Sequence, residues 1–322
     1  MGTFLILTLV LSVLFFVLLF TSIRRQQKRS QLLPRGPTPL PLLGNVTCFG
    51  SRGAMKCFPE FHRKYGKMFT VWLGTEPVVV LCGYDVVKDA LVNHAEQFSG
   101  RPMYPVMHEL TEGFSFISEG EHWRLFRRFL MSTLRNVGMG KKILEDRCLM
   151  EAEQLIEAMA ETGGKPFNPI HLLSCAVANI ISFTLFGQYF DYKDKKLQVL
   201  ITNTRKNVIN LFSIKSQICN IFPILLKLPF VLETMCKNSL YIQDYVKDQI
   251  SFHKETLDTS NPRDFTDYFL LKIKEEKRAG DSPFCDTSLL MYITGILTAE
   301  IDTTSSTLKY CLSLIAQLHT FR

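Results

Sequence analysis

The chain has 322 residues, of which 47% are hydrophobic, and a formal net charge of +7. This length and composition exclude a disordered chain and allow one large domain or two smaller ones. The excess charge lies beside an apolar N-terminus, and no basic stripe is interleaved with aromatic residues. An anionic membrane surface or an acidic partner is therefore favoured over nucleic acid. The nine cysteines include no C-x-x-C pair, which argues against a structural zinc site. Their scatter through apolar segments predicts reduced core residues in a domain facing the cytosol.

Residues 1–23 are predicted to form a single transmembrane helix. The stretch from Phe4 to Phe20 has no charge, and with residues 21–23 it reaches the roughly 20 residues that a bilayer core requires. A secretory signal peptide is the competing interpretation, but no basic segment precedes the stretch and no small-x-small cleavage site follows it. Four basic residues come next: Arg24, Arg25, Lys28 and Arg29. The positive-inside rule then places the remaining chain in the cytosol.

Residues 24–45 combine this basic stop with a proline-rich hinge. Prolines spaced between Pro34 and Pro41 restrict φ and favour an extended, semi-rigid strut that would orient a domain against its membrane. An ordinary proline-rich linker or a partner ligand would have a similar composition. The segment PRGPTPLPLLGN, taken with the anchor, resembles the hinge of the microsomal cytochromes P450, which are haem-thiolate monooxygenases. The resemblance is greatest to the vertebrate group that metabolises drugs and lipids.

Residues 46–322 are predicted to form a mainly α-helical domain with a small N-terminal β-sheet. Apolar runs at 68–73 and 77–81, separated by Gly74-Thr75-Glu76, predict a β-hairpin. Helices are predicted at 55–66, 84–93, 121–134, 141–161, 169–186, 197–212, 234–257 and 286–319. The last of these is apolar almost all round, which is typical of a buried central helix. This pattern is similar to the cytochrome P450 fold, of which the chain would form a partial, truncated catalytic domain.

The helix at 121–134 contains a candidate anion-binding pair. Trp123 and Arg127 are four residues apart, so they share one helical face. An indole N–H and a guanidinium on one face suit a carboxylate ligand. Spacing alone, however, favours an amphipathic basic helix with a core tryptophan. The pair falls where the resembled family has a Trp-x-x-x-Arg motif that donates to a haem propionate.

The resemblance implies further contacts around the cofactor, haem b. Arg101 stands where related proteins place a second propionate-binding arginine, so Arg101, Trp123 and Arg127 are assigned to the propionates. Several neighbouring residues are also basic: Arg124, Arg128, Arg135, Lys141 and Lys142. In the family the corresponding face docks an acidic redox partner, so NADPH-cytochrome P450 reductase is an expected partner and cytochrome b5 a second one.

The segment from Ala299 to Thr304 is the second candidate site. An acid in a buried helix is costly unless it is hydrogen-bonded or hydrated. A threonine hydroxyl there can bond the carbonyl one turn back and open the helix locally, so that Asp302 and Thr303 could form a water-lined proton route. Alternatively, Asp302 caps a helix start and the following hydroxyls are its polar first turn. The apolar periodicity on both sides argues against a fresh start.

The resembled family has a motif at this point: small residue, glycine, variable residue, acid, threonine, threonine or serine. Ala299, Asp302, Thr303 and Thr304 match it. The resemblance implies that Thr303 donates to oxygen at the iron, that Asp302 relays protons and that Ala299 lies at the haem. Glu300 departs from the motif because it replaces the glycine. Its charge would either crowd the oxygen groove or point away from it.

Five apolar residues fall in regions that line the substrate cavity in relatives: Phe116, Ile117, Leu211, Phe212 and Ile296. On physical grounds alone such residues lie more often in a core than at a ligand. The apolar segment 221–230 is either a membrane-dipping access loop or ordinary core. The resemblance therefore implies a lipophilic small-molecule substrate, such as a xenobiotic, a fatty acid or a steroid.

The family's iron ligand is a cysteine in a loop of pattern Phe-x-x-Gly-x-Arg-x-Cys-x-Gly, which does not occur in the 322 residues. The last cysteine, Cys311, lies in a helical context. Because a thiolate is essential to this oxygen chemistry, we expect this chain by itself to be inactive. Two interpretations follow. One is the family function, a monooxygenase of the endoplasmic reticulum membrane that uses O2 and electrons from a reductase. The other is a truncated, membrane-anchored product with at most a binding role.

Overall fold

Helices make up most of the chain in the computed structural model, as the periodicity of the sequence predicts. The structure describes residues 2–45, 48, 54–102, 104–111, 119–277 and 282–320. The chain divides into two compact units, Met1–Gly100 and Arg101–Arg322. Within the described ranges, no helix combines the length and the apolar character needed to cross a membrane. The transmembrane anchor is therefore not confirmed and stays a prediction.

The first unit combines helices with a β-hairpin. Its elements in chain order are α1 (Gly2–Ser30), α2 (Ala54–Tyr65), β1 (Met68–Leu73), β2 (Glu76–Leu81), α3 (Tyr84–Lys88) and a π-helical turn (Asp89–Asn93). The predicted hairpin is confirmed, because β1 and β2 pair antiparallel with Met68 opposite Leu81 and Leu73 opposite Glu76.

The proline-rich hinge is held against β1. The Asn45 Oδ1 accepts a hydrogen bond of 2.8 Å from the Trp72 N–H, and the Asn45 Nδ2 donates to the Thr38 carbonyl at 3.1 Å. Gly36 approaches the strand so closely that an added Cβ would lie 1.8 Å from the Thr70 carbonyl oxygen. Only glycine fits there, so the hinge is a fitted part of the first unit, a feature that its composition does not predict.

The second unit consists of helices in the described residues. They are α4 (Pro105–Leu110), α5 (Gly120–Val137), α6 (Lys142–Ala160), α7 (Ile170–Phe186), α8 (Lys195–Leu211), α9 (Ile214–Ile221), a 3-10 helix (Pro223–Lys227), α10 (Pro229–Thr256), α11 (Phe265–Glu276) and α12 (Asp286–Thr320). The predicted C-cap of α7 is confirmed, since Gly187 adopts the left-handed conformation with φ 64°. Helices α9 and α11 are not predicted from the sequence. Helix α10 begins five residues earlier than predicted, at a proline suited to the first helical turn.

The core of the second unit forms around the first half of α12. Ile293, Leu297 and Ile301 recur every four residues and are at most 1% exposed, and they belong to one cluster with side chains from α7, α8, α10 and α11. The burial of α12 ends near Ser305, which accepts a 3.2 Å hydrogen bond from the Ser174 hydroxyl. Ser174 lies in the first turns of α7, so α7 does not cover the part of α12 that follows Ser305.

The expectation of a buried central helix is therefore right for half of α12. Beyond Ser305, six large hydrophobic side chains of the described residues are exposed: Leu308, Tyr310, Leu312, Leu314, Ile315 and Leu318. The cysteine prediction is also right in part. All nine cysteines are free, but only Cys57, Cys175 and Cys219 are buried, whereas Cys148 and Cys311 are exposed.

Candidate functional site

Helix α5 places the predicted anion-binding pair beside the core. Phe126, between the two residues in sequence, is buried. Its ring lies 4.3 Å from that of Tyr292 on α12 and 4.6 Å from that of Phe284. Aromatic pairs at such distances stabilise a packing arrangement beyond the area they bury. This contact fixes α5 against α12 and holds Trp123 and Arg127 at the junction of the two helices.

Trp123 and Arg127 face the same side of α5, as their spacing predicts. The Arg127 Cζ lies 5.3 Å from the centroid of the Trp123 ring, a distance at which a guanidinium is attracted by the ring. Arg127 is exposed, and Trp123 is partly buried. No carboxylate of the described residues lies within salt-bridge distance of Arg127. The guanidinium is therefore positioned by the indole and is available to an acidic ligand.

The two predicted sites meet in one cavity of about 130 Å³. Its lining residues are Trp123, Phe126, Arg127 and Leu130 of α5 and Tyr292, Ile296, Ala299 and Glu300 of α12. Of the predicted residues, Trp123, Arg127, Ile296 and Ala299 are thus brought together. The α5 side of the cavity carries the guanidinium and indole donors, and the α12 side combines the apolar Ile296 and Ala299 with Tyr292 and Glu300.

Thr303 extends the cavity face of α12 by one turn. Its hydroxyl donates a 2.7 Å hydrogen bond to the carbonyl of Ala299, which is the bond to the preceding turn that the sequence predicts. Helix α12 nevertheless continues without interruption from Asp286 to Thr320. The local opening that this threonine was expected to cause does not occur. The unbroken helix carries Glu300 instead of the glycine that would favour such an opening.

Asp302 lies on the adjacent face of α12 and is partly buried. Thr298 and Thr294 precede Asp302 by four and eight residues. Their hydroxyls are buried and have no hydrogen-bond partner among the described residues. Residues at this spacing lie one above another on a helix. An unpaired buried hydroxyl costs about 1–3 kcal/mol, so this face of α12 is suited to ordered water.

Glu300 lines the cavity rather than pointing away from it. Its side chain is exposed, so it lies at the mouth. The sequence left two orientations open for this residue, and the structure assigns it to the groove. A carboxylate at this position opposes an acidic ligand while Arg127 favours one.

The other predicted site residues lie elsewhere or outside the described ranges. Arg101 is exposed and does not line the cavity, and its backbone N–H donates to the Glu119 carboxylate at 2.8 Å. Leu211 packs on a separate small cluster around Val106 and Leu226. Phe212 is 78% exposed. Phe116 and Ile117 lie outside the described residues.

Sequence reasoning does not find two buried polar sites. The first is Glu151 of α6, whose side chain is buried and only 4% exposed. It lies seven residues from both Leu144 and Ala158 on the inward face of the helix, a spacing that could have indicated its burial.

The second is a charged cluster between α10 and α11. His253 is 1% exposed and its Nε2 lies 2.9 Å from the Asp264 Oδ2, while its Nδ1 lies 2.7 Å from the Gln249 carbonyl oxygen. Both partners are hydrogen-bond acceptors, so this geometry favours the doubly protonated imidazole. Burial alone would lower the pKa of His253, but the hydrogen bond and the charge of Asp264 raise it above its ordinary value. The side chains of His253, Asp264 and Asp267 lie as close together as the ligands of a metal ion would. Asp267, however, is bound by Arg263 at 2.7 and 3.0 Å, so every group is already satisfied.

The donor chemistry of the cavity fits one edge of a haem. Trp123 and Arg127 suit the propionates, and Ile296 and Ala299 suit the apolar ring. Small-molecule sites generally measure about 300–1,000 Å³, so a cavity of about 130 Å³ accommodates an edge of the cofactor rather than the whole ring. Glu300 is the one lining residue whose charge opposes this fit.

Comparisons with known proteins agree with this chemistry. Residues 34–320 match the family model described as Cytochrome P450. Cytochrome P450 2C20 of Macaca fascicularis is 41% identical over 317 residues, which cover 98% of this chain and 64% of the relative. Cytochrome P450 2C29 of Mus musculus is 40% identical and Cytochrome P450 2C1 of Oryctolagus cuniculus 41% identical, each over 300 residues that cover 92% of this chain and 61% of the relative.

The chain thus spans just under two thirds of the length of these relatives. The family match includes the hinge, the cavity between α5 and α12, and the acid–threonine segment of α12. Together with the mainly helical fold, this match means that the chain belongs to the cytochrome P450 family.

Proposed function

We propose that the protein functions as a haem-thiolate monooxygenase that hydroxylates lipophilic small molecules such as xenobiotics, fatty acids or steroids. The observation that supports this proposal best is the single cavity lined by Trp123 and Arg127 from α5 and by Ile296 and Ala299 from α12. Donors for an acidic edge and an apolar wall for a flat ring occur there together. The proposal concerns the activity of the family, because the chain spans only part of the length of its relatives.

Each lining residue has a physical role in this proposal. Arg127 binds a propionate through charge-assisted hydrogen bonds, and the Trp123 N–H donates to the same edge. Ile296 and Ala299 exclude water from the ring face, since they present no polar side-chain atom. When bound, the haem would supply the oxygen chemistry, in which one atom of O2 enters the substrate and the other leaves as water with two protons and two electrons from a reductase.

Thr303 and Asp302 are proposed to handle protons beside the ring. The Thr303 hydroxyl has one proton and donates it to the Ala299 carbonyl, so in this rotamer it can only accept from a ligand or water. Rotation about χ1 would release the proton toward the cavity. Water along the Thr294–Thr298 face would connect Asp302 to this position.

The remaining predicted contacts are also proposals. Arg101 is exposed and would reach a propionate only from outside the cavity between α5 and α12. Phe116, Ile117, Leu211 and Phe212 are proposed to contact substrate. Exposure of Phe212 is compatible with a role at an entrance rather than at the reacting centre.

An acidic redox partner is proposed to dock on α5 and the turn after it. Arg128 and Arg135 lie seven residues apart on this helix and are exposed, as are Lys141 and Lys142. NADPH-cytochrome P450 reductase is the proposed partner, and cytochrome b5 is a second one. The proposed location is the endoplasmic reticulum membrane, with the helical unit in the cytosol, on the basis of the apolar and basic N-terminal sequence.

Haem binding tests the proposal directly. The full chain in lipid nanodiscs would be titrated with haemin while the Soret absorbance is followed. We expect saturable binding that Arg127→Ala weakens and Arg124→Ala does not. Arg124 is a suitable control because it lies on the same helix and pairs with Glu121 at 3.8 Å. Binding that is absent, or that is indifferent to Arg127, would contradict the proposal.

A second candidate function is a binding role without catalysis. The observation that favours it is the exposed apolar surface of α12 beyond Ser305, which a lipid or protein partner could cover. A carbon monoxide difference spectrum of the reduced, haem-loaded chain separates the two. We expect no thiolate-type band from these 322 residues. Observation of that band would overturn the expectation that the chain alone is inactive.

A further inference from the structure

A second cavity lies between α6 and α7 and is separate from the cavity between α5 and α12. It measures about 270 Å³. Its lining residues are Arg147, Met150, Glu151, Glu153, Gln154, Asn179, Ile180, Phe183 and Tyr189. None of these residues lines the cavity between α5 and α12, and none has a role in the proposed monooxygenase function.

The inner wall of this cavity contains the buried carboxylate of Glu151. Its Oε1 accepts a 2.7 Å hydrogen bond from the Tyr192 hydroxyl and a 3.3 Å bond from the Asn179 Nδ2. Asn179 is itself 1% exposed and is held in place because it also exchanges two hydrogen bonds with the backbone of Phe190. The carboxylate is therefore fixed by neutral donors on a rigid base.

The part of the chain that the structure describes offers this carboxylate no neutralising cation. Among the described residues, none has a basic group within salt-bridge distance of Glu151. Arg147 precedes it by one turn, but its guanidinium lies over the Phe183 ring, with Cζ 4.2 Å from the centroid. Burial raises the pKa of Glu151, and the hydrogen bonds from Tyr192, Asn179 and Tyr189 oppose this rise. A buried charge without a partner is costly, so the site favours a ligand that supplies the missing positive charge.

We propose that this cavity binds a small organic amine as its ammonium ion. The ammonium group contacts the Glu151 carboxylate, and the hydrocarbon part lies against Ile180, Met150 and the edge of Phe183. The cavity is smaller than most drug-sized sites, which measure about 300–1,000 Å³, so the ligand is a single ring or a short chain.

The charges of the lining residues favour a cation over an anion. The lining contains one arginine and two glutamates, which gives a formal charge of +1 − 2 = −1. The arginine is engaged by Phe183, whereas Glu151 is the only buried ionisable side chain of the set. Buried groups respond most strongly to the charge of a ligand because solvent screens them least.

The test uses the full chain in lipid nanodiscs and isothermal titration calorimetry. The probes are 2-phenylethylamine, the neutral 2-phenylethanol and the anionic phenylacetate, which share one ring and differ in charge. We expect the amine to bind and the other two to bind roughly tenfold more weakly or not at all. Glu151→Gln keeps a hydrogen-bond acceptor but removes the charge, and should lower the affinity for the amine by roughly tenfold or more. Glu157→Gln removes an exposed carboxylate of the same helix outside the cavity lining and should leave the amine affinity nearly unchanged.

Two variants keep the test decisive if Glu151→Gln fails to fold. Gln154→Trp obstructs the exposed rim of the cavity and should reduce amine binding. Glu157→Trp lies on the same helix outside the cavity lining and should not. Equal binding of the three probes, preference for phenylacetate, or an amine affinity that neither Glu151→Gln nor Gln154→Trp reduces would overturn the proposal. Haem binding is scored separately through Arg127, so failure of this site and failure of the proposed monooxygenase function are distinguishable.

Discussion

The guanidinium of Arg127 lies over the indole ring of Trp123, 5.3 Å from its centroid, and both side chains border the same cavity as Ala299. The contact between Phe126 and Tyr292 fixes the helix on which the two donors stand. The donors are therefore arranged before an acidic ligand arrives, which reduces the entropy cost of binding.

Replacement of Arg127 by alanine should weaken haem binding. A charge-assisted hydrogen bond contributes about 1.5–3 kcal/mol, so we expect a loss of roughly tenfold to a hundredfold in affinity. Haemin titration followed by Soret absorbance measures the change. Arg124→Ala should have little effect because that side chain points to solvent and pairs with Glu121. An equal loss in both variants would show that general charge, rather than the arrangement with Trp123, governs binding.

The sequence predicts this site better than it predicts its surroundings. Spacing of four residues places Trp123 and Arg127 on one helical face whatever the tertiary structure, and the structure confirms it. Arg101 stands on no regular element, so its direction depends on the chain around it, and it does not join the cavity. The hydroxyl of Thr303 follows a local rule of helices and is found as predicted. The opening of α12 depends on residue 300 as well, and it does not occur.

Elements without a strong apolar period are the ones that sequence reasoning misses. Helix α11 begins at a cap in which the Asp264 carboxylate accepts from the Asp267 N–H at 3.1 Å. Asp264 and Thr266 are buried because distant groups satisfy them, namely His253 and the Leu185 carbonyl. Asp267 is also buried, but its partner is the nearby Arg263. Burial of Glu151 has the same origin in Tyr192 and Asn179, which are distant in sequence. Such pairings arise from tertiary packing, which local patterns do not encode.

Replacement of Glu300 by alanine should strengthen haem binding. The carboxylate lines the cavity that would receive propionates, and like charges at an exposed position cost about 0.2–1 kcal/mol. We therefore expect a gain in affinity of up to roughly fivefold, greater at low salt. Haemin titration at two ionic strengths measures it. Glu255→Ala removes an exposed carboxylate of α10 and serves as the control. A loss of affinity in Glu300→Ala would mean that this carboxylate supports the site.

Replacement of Thr298 by valine should destabilise the second unit. If water bridges the buried Thr298 hydroxyl toward Asp302, the valine removes that bond at a cost of about 0.5–1.5 kcal/mol. Urea unfolding followed by circular dichroism measures the free energy of unfolding. Thr184→Val provides the comparison, because the Thr184 hydroxyl donates directly to the Ile180 carbonyl at 2.8 Å and its loss should cost a similar amount. An increase in stability for Thr298→Val would indicate a dry hydroxyl and would contradict a hydrated route.

The buried pair His253–Asp264 should make stability depend on pH. The pKa of His253 is raised in the folded state by Asp264, against the opposing effect of burial. The imidazolium therefore stabilises the fold fully below the ordinary pKa of about 6.5. This contribution is lost as pH rises through the higher folded-state pKa. Urea midpoints measured from pH 6 upward should fall with pH in the wild type.

Asp264→Asn should remove most of this slope and lower the free energy of unfolding by about 3–5 kcal/mol, the usual cost of leaving a buried charge without its partner. Asp286→Asn breaks an exposed pair with Lys254 of 2.9 Å and should cost less than about 1 kcal/mol. A wild-type slope that persists in Asp264→Asn would assign the pH dependence to other groups.

Reversal of two charges on α5 should weaken binding to the reductase. Arg128 and Arg135 are exposed and lie two turns apart, so they present one basic surface to an acidic partner. We expect Arg128→Glu with Arg135→Glu to slow association several-fold at low salt. The difference should shrink as the Debye length falls from about 10 Å at 0.1 M to about 3 Å at 1 M. Surface plasmon resonance across this range of salt measures the association rates of the wild type and of the double variant.

The control for this experiment is Arg205→Glu with Lys206→Glu, which changes an equal number of exposed charges on α8 and should have little effect. Unchanged association of the α5 variant at low ionic strength would exclude this surface as the docking site, whereas an equal effect of both double variants would indicate that net charge alone steers the encounter.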